Sequence, residues 1–424
     1  MGQRFDESLL QPITSTSKWF YAFMAVLLAL IMVWGYSYSQ QLTQGLGVTG
    51  MNRPVYWGIY ISTFVFWIGI SHAGIAISAS VRLLGIKSQR PVTRIAELLT
   101  VVALFMAILC IVVDLGRPDR ILHLFAWGRY QSILIWDITA VTTYLTGSII
   151  YLYLSMRADF LFYSKKVSRL SWLYNFLALG YRGGEMEEER HEKALWWIAV
   201  AIVPIMVTVH TVVSWVFGLQ SARPGWFSAI FGIYFVIGAV ASGLASIITI
   251  AWILRRLFRW ERYLNMEVFK GLAWALRNVL ILYFYLWIAE EITIRYLGPL
   301  PEVSVSNALF FGEFSWVFWP MLVLTFIFPA LILFLPLFKK ELFNLNVVVL
   351  ASVLLNVGLW IKRVVIVVPT LTYPRLYPPV VTYTPTLAEW SITLGTFWIA
   401  ITLYTLFIKL FPIIEGKLGV IIDD

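Results

Sequence analysis

The sequence predicts an all-α fold, a polytopic bundle of about ten membrane-spanning helices. Three observations predict it. The 424 residues are 60% hydrophobic and only 13% charged, where soluble domains are nearer half apolar and a quarter charged. Ten apolar segments of about 20 or more residues recur from end to end, each long enough to cross roughly 30 Å of hydrocarbon. In lipid such segments must be helices, because only then are their own backbone groups satisfied within the segment.

In chain order, the first span lies near 18–39 and the second, unusually long, near 55–84. The second carries His72 near mid-bilayer, among Ser71, Ala73, Gly74, Ala76 and Ser78, small residues that let a neighbouring helix approach closely. The third, 94–114, ends at Asp114 and opens the connection VVDLGRPDRILHLFAWGRYQS, which packs Asp114, Arg117, Asp119, Arg120, His123 and Arg129 into a short stretch. The fourth, 133–155, has Asp137 a turn from its start. A long connection, 156–193, follows; it holds an amphipathic piece (Leu170, Trp172, Leu173, Phe176, Leu177) and the acidic run GGEMEEERHEK, read as an interfacial helix and a solvated charge run or as a docking site for a partner. His210 lies in the fifth span, 194–217, and the sixth is 228–254. The seventh, 267–296, carries Arg277 in its first half and Glu290, Glu291 and Arg295 near its end. The eighth is 316–337; Lys362 and Arg363 interrupt the ninth, 346–368; the tenth is 389–411. Two Pro-containing connections, GPLPEVSVSNALFFGEFSW and PTLTYPRLYPPVVTYTPT, read as rigid, extended loops suited to covering a site or meeting a partner.

Lys and Arg are distributed unevenly between the two sets of connections. One set carries Arg82, Lys87, Arg90, Lys165, Lys166, Arg169, Arg182, Arg190, Lys193, Arg255, Arg256, Arg259, Arg262, Lys339 and Lys340; the other has little beyond Arg53, Arg117, Arg120, Arg129, Arg223 and Arg375. The bias predicts both termini in the cytoplasm of a bacterial inner membrane. The net charge of +9 is then loop charge that sets orientation, not a nucleic-acid footprint. The first residues, MGQRFDESLLQPITSTSK, lack the pattern of a cleavable signal peptide. Cys110 is the only cysteine, so the chain has no disulfide, Cys-ligated cluster or Cys zinc site of its own. Without a P-loop or a GxGxxG stretch, ATP-driven or nicotinamide chemistry is not expected.

With that orientation Asp114, Asp137, His210, Glu290, Glu291, Lys362 and Arg363 lie at similar depth near the outer face, and His72 deeper by about a turn or two. Ionisable groups in hydrocarbon are costly and default to functional hypotheses. Each also has a bland reading. A lone His is often a hydrogen-bonded strut, Glu291 and Arg295 are spaced as a structural ion pair, and Asp114 with Arg117 fits a helix-end turn at Gly116 and Pro118. Arg363 resists such a reading, since it stays charged and needs an anion or a polar ligand. A His beside a carboxylate can take a proton from a hydroxyl and pass it on. Phe64, Phe66, Trp67, Trp136 and Trp215 could sandwich a flat ring, although such stripes are usually core packing. An apolar slot with polar ends, open to lipid, suits a quinone.

The stretches GLGVTGMNRPVYWGIYISTFVFWIGISHAG, DLGRPDRILHLF and SILIWDITAVTTYLTGSIIYLYL resemble the NrfD/PsrC family of quinone-interacting membrane subunits. VHTVVSWVFGLQSARPGWFSAIFGIYFVIGAVASGLA and IKRVVIVVPTL carry the resemblance further, and ten helices with ISHAG and VVPTL are most like the large NrfD-like subunits of bacterial alternative complex III. The resemblance implies a haem-free scaffold of two four-helix bundles with flanking helices: one integral membrane domain over 1–424, its core about 55–368, its flanks about 18–39 and 389–411. It implies menaquinol or another quinol bound near the outer face, with electrons passing to an extrinsic iron–sulfur subunit. A second NrfD-like membrane subunit and cytochrome c subunits are the further partners it implies, so iron–sulfur and haem c are expected only in those partners. Carried over residue by residue, the quinone-binding and catalytic candidates are His72, Asp114, Asp137 and Arg363, with His210, Glu290, Glu291, Arg117 and Trp67 as proton path or support. One departure stands out: an acidic residue is expected after "SW" in the quinol-oxidising subunit, and here Val216 follows Trp215. A paired, non-oxidising subunit that conducts protons or scaffolds the complex is therefore the first alternative. A secondary transporter, which would show inverted repeats and broken helices, is the second. A haem binder would need axial His pairs, and the chain has four His in all.

Overall fold

The structure is a computed structural model and describes residues 3–373, 381–416 and 420–422. All ten expected spans are present as helices: α1 (Lys18–Gln44), α2 (Ile59–Leu84), α3 (Thr93–Asp114), α4 (Ile133–Lys166), α5 (Glu185–Gly218), α6 (Phe231–Phe258), α7 (Met266–Leu297), α8 (Ser315–Phe338), α9 (Leu345–Thr372) and α10 (Leu387–Leu410). Local signals fix several starts. Ser17 caps α1, Asn265 caps α7 and Asn344 caps α9, each accepting from a backbone N–H of the first turn. Thr386 and Glu389 form a reciprocal capping box at α10. Within α8 the backbone widens to a π-turn over Val323–Ile327.

α2, α3, α4 and α5 pack as one group, and α6, α7, α8 and α9 as another. The long α2–α6 contact, supported by α5–α6 and α2–α9, joins the two, while α1 packs on α10 at the flank. Burial follows this order: 78% of the apolar window of α2 is buried against 6% of that of α1. Glycines set the closest approaches. A Cβ on Gly74 of α2 would fall 2.0 Å from Thr100 Oγ1 and 2.2 Å from the Ala96 carbonyl of α3; one on Gly243 of α6 would fall 2.3 Å from Ala73 Cβ.

Both termini lie at the same end of the bundle. Three-residue strands Gln3–Phe5 and Val420–Ile422 pair antiparallel there. Arg94 at the start of α3 is buried and pairs with Asp159 of α4 at 2.5 Å, while Asp159 also accepts from the Gly416 amide at 2.8 Å. Glu97 accepts from Ser155 at 2.7 Å and from Ser78. These buried charges of α3 and α4 are thus matched within the cluster.

Two expected connections differ from their sequence reading. The stretch 156–193 is mostly helical, since α4 continues to Lys166 and α5 begins at Glu185 inside the acidic run. Three glutamates in the first turn of α5 favour this start through the helix dipole. The amphipathic piece does form a short helix, Ser171–Leu177. The connection after α7 is not extended either: Leu300–Phe310 is a helix, with Pro301 at a position where its missing N–H costs nothing. Part of the connection after α9, residues 374–380, lies outside the described residues.

Candidate functional site

The polar residues buried far from the termini fall into three separate groups. The first sits where the two four-helix groups meet. His72 of α2 and His210 of α5 stack edge to face with ring centroids 4.3 Å apart, and both are fully buried. The depth gap read along the sequence is therefore absent. His72 Nδ1 lies 3.0 Å from the Ile68 carbonyl and Nε2 lies 2.7 Å from the Met206 carbonyl. A neutral imidazole has one N–H to donate, so only one of these contacts is a hydrogen bond unless the ring is protonated. Among the described residues neither nitrogen of His210 makes a hydrogen bond of full geometry, the Phe235 backbone being its nearest polar neighbour. Arg363 of α9 completes the group. It is 1% exposed, its Nε and Nη1 lack partners, and its guanidinium lies over the Phe235 ring at 4.8 Å. Among the described residues no carboxylate forms an ion pair with it. Gly69 makes room: a Cβ there would lie 3.8 Å from Arg363 Nη2 and 3.1 Å from Ser242 Oγ. Tyr144, its hydroxyl on the Ser71 carbonyl, closes the far side with its ring 5.8 Å from that of His72.

The second group belongs to α6–α9. Lys362, 3% exposed, points away from Arg363 into a cage of Tyr234, Tyr283, Trp287 and Phe326, whose ring centroids are 5.0–5.5 Å from Nζ. Nζ has no hydrogen-bond partner. Lys362 lines a cavity of about 80 Å³ together with Glu290, Glu291 and Glu302. Glu290 accepts from Ser228 at 2.9 Å, Glu291 from Ser306 at 3.1 Å, and Glu302 from the Gly225 amide. The Glu291–Arg295 pair is present but long, at 4.0 Å.

Asp114 anchors the third group, at the α1–α3–α10 corner. Among the described residues its Oδ1 has no partner, and its electrostatic neighbours include Glu389, Tyr60 and Cys110. Tyr60 donates to Gln41 at 2.8 Å, and Gln41 donates to the Val113 carbonyl at 2.7 Å. Glu389 is saturated by Gly50, Tyr383 and Thr386.

The nine sequence candidates thus divide. His72, His210 and Arg363 come together. Glu290 and Glu291 lie with Lys362. Asp114 faces another corner, and Asp137, 6% exposed with an unpartnered Oδ1, has no hydrogen bond to the His pair. Arg117 is turned away: it is exposed and pairs with Asp119 at 2.9 Å, because Gly116 takes a positive φ of 63° and redirects the chain. Trp67 faces α10, donating to Thr396 at 3.1 Å and packing on Phe397. Trp136 and Trp215 are partly exposed on the outside of the bundle, so the rings flanking the His pair are Tyr144 and Phe235 instead. Sequence reasoning left Lys362, Tyr283 and Phe235 out of the site; a tyrosine and a phenylalanine inside apolar helices look like ordinary core.

Eight membrane helices in two packed groups flanked by two more, with a histidine pair and an arginine at the junction of the groups, define the class: an integral membrane protein built around a buried polar centre. The chain belongs to the NrfD polysulphide reductase family, whose model matches residues 47–374. It is 25% identical over 398 residues to one of the subunits of the selenate reductase of Mesobacillus selenatarsenatis, covering 89% of this chain and 90% of that one. It is 22% identical to the Hdr-like menaquinol oxidoreductase integral membrane subunit of Archaeoglobus fulgidus, covering 94% of each. To the menaquinone reductase integral membrane subunit of Nitratidesulfovibrio vulgaris it is 24% identical over 377 residues, covering 84% of this chain and 83% of that one.

Proposed function

We propose that this chain is the quinone-binding membrane subunit of an oxidoreductase complex. Menaquinol or a related quinol reaches the His72–His210–Arg363 centre from the lipid. Electrons pass to an extrinsic iron–sulfur subunit on the face away from the termini, which is the outer face if the Lys/Arg bias sets orientation. The observation that carries the reading is this centre itself: two adjacent imidazoles, one without a hydrogen bond of full geometry, beside a guanidinium that, among the described residues, no carboxylate pairs with. Such a set accepts hydroxyl protons and stabilises the anion that forms as they leave. His210 is the more open to a quinol hydroxyl, because both nitrogens of His72 already face carbonyls, and a proton passed on to His72 would complete its second hydrogen bond. Asp137 and Asp114 are proton acceptors further along, and Glu290 and Glu291 line a way out beside Lys362. Relatives named as menaquinol oxidoreductase and menaquinone reductase subunits support the substrate class.

The second reading is the paired subunit that conducts protons without oxidising quinol. Val216, apolar and 5% exposed where an acid is expected, favours it. One experiment separates the two. His72→Ala, His210→Ala and Arg363→Ala are made in the intact complex and assayed for quinol oxidation, with assembly checked by polypeptide content. Loss of activity by about ten- to ten-thousand-fold, the usual span for one acid–base group, in assembled complex supports the oxidising site. Normal turnover in all three assigns it to another subunit.

A further inference from the structure

A second cavity, unrelated to the polar centre, opens at the terminal end of the α6–α9 group. It measures about 210 Å³ and is lined by Lys270, Trp274 and Arg277 of α7, Leu333 and Pro336 of α8, and Phe343 of the α8–α9 connection, several times the ~30 Å³ of one water. Lys270, Trp274 and Arg277 recur at helical spacing and share one face of α7. α8 ends at Phe338, two residues past Pro336, and leaves the space beneath it. Trp274 is 62% exposed, at the level where Trp marks a membrane interface.

Among the described residues both cations of this cavity lack a counter-charge. Lys270 Nζ meets only the Phe343 ring, at 5.8 Å, and the Arg277 guanidinium only the Phe334 ring, at 6.0 Å. Among the described residues neither Glu267, on the first turn of α7, nor Glu341, two residues before Phe343, forms an ion pair with Lys270 or Arg277. The remaining lining is aliphatic or aromatic. Helical side chains lean toward the helix N-terminus, so Arg277, about 10 Å further into the bilayer than Lys270, reaches back toward it. A snorkelling cation needs no cavity; two converging cations over an apolar one make an amphiphile site.

We propose that this cavity binds one anionic phospholipid from the leaflet on the side of the termini. Its phosphodiester lies between Lys270 and Arg277, and one acyl chain lies against Leu333, Pro336 and Phe343. The charge complementarity selects an anionic headgroup over a zwitterionic one, with each cation contributing about five-fold.

The test uses the intact complex purified in mild detergent. Bound lipids are extracted and counted by mass spectrometry from wild type, from Lys270→Gln/Arg277→Gln, and from Arg256→Gln as a surface control. The double variant should lose one phosphatidylglycerol or cardiolipin per chain, with the control unchanged. An unchanged anionic lipid count, or loss of a quinone or a zwitterionic lipid instead, overturns the proposal. If the double variant accumulates poorly, wild-type complex is melted in phosphatidylcholine nanodiscs with and without 20% phosphatidylglycerol. Stabilisation by phosphatidylglycerol that each single variant reduces supports the site; no stabilisation, or an equal one in the single variants, overturns it.

Discussion

At the scale of single residues, adjacent positions on one helix have been given opposite surroundings. Arg363 faces the histidines and Lys362 faces four rings. Cation–π attraction is worth about 2 kcal/mol or more when desolvated, whereas taking an ammonium out of water costs several kcal/mol. The desolvation cost dominates, so Lys362→Met should be neutral or stabilising by up to about 3 kcal/mol. Thermal melting of the complex checks this; a fall in melting temperature would show that Lys362 holds a structural charge pair. The sequence revealed that His210, Glu290, Glu291, Lys362 and Arg363 are intramembrane, because helix length and rise fix depth. It did not reveal the His72–His210 contact, since counting along one helix says nothing of where the neighbouring helix starts. Nor did it reveal that Asp114 and Trp67 face α1 and α10, because helix rotation depends on packing.

Elements were legible where composition alone decides them. The ten spans follow from apolar length, and their helical state follows from the lack of water in the bilayer. The connections whose helical extent the sequence did not show, 156–193 and Leu300–Phe310, carry few apolar runs, and there capping, dipole and tertiary packing decide. Glycines govern how closely elements approach. Gly74→Ala and Gly243→Ala would each drive a methyl group into a neighbouring helix at 2.0–2.3 Å, an overpacking cost of about 1–3 kcal/mol or more. Gly35→Ala on α1, with nothing within 4 Å, should be harmless or gain up to about 1 kcal/mol of helix propensity. Membrane levels and melting temperatures of the three variants provide the comparison. Equal behaviour of all three would mean that the α2–α3 and α2–α6 contacts are looser than drawn.

For the whole molecule, the central question is which way it faces. The Lys/Arg count predicts cytoplasmic termini, and the pairing of Gln3–Phe5 with Val420–Ile422 shows that both chain ends share one side of the bundle. Cys110 is buried, so single cysteines can be introduced without removing it. Ser132→Cys and Thr382→Cys should react with an impermeant maleimide on intact cells. Labelling only after the membrane is opened would reverse the orientation and move the electron-accepting partner to the other side. The two four-helix groups came from the family resemblance rather than from hydropathy, which counts spans but carries no information on which spans pack together.

The Lys362–Arg363 pair also bears on how the chain enters the membrane during synthesis. Each cation costs about 2.5–3.5 kcal/mol when a helix is inserted with it near the centre, and each aliphatic residue offsets only about 0.3–0.6. For α9 the two sums nearly cancel, so this span has little drive to leave the translocon alone. The helices that shelter its cations, α6 for Arg363 and α6, α7 and α8 for Lys362, are all made before it. Chain order thus gives α9 its partners in advance, and the same residues in an N-terminal span would meet the bilayer with no shelter in place.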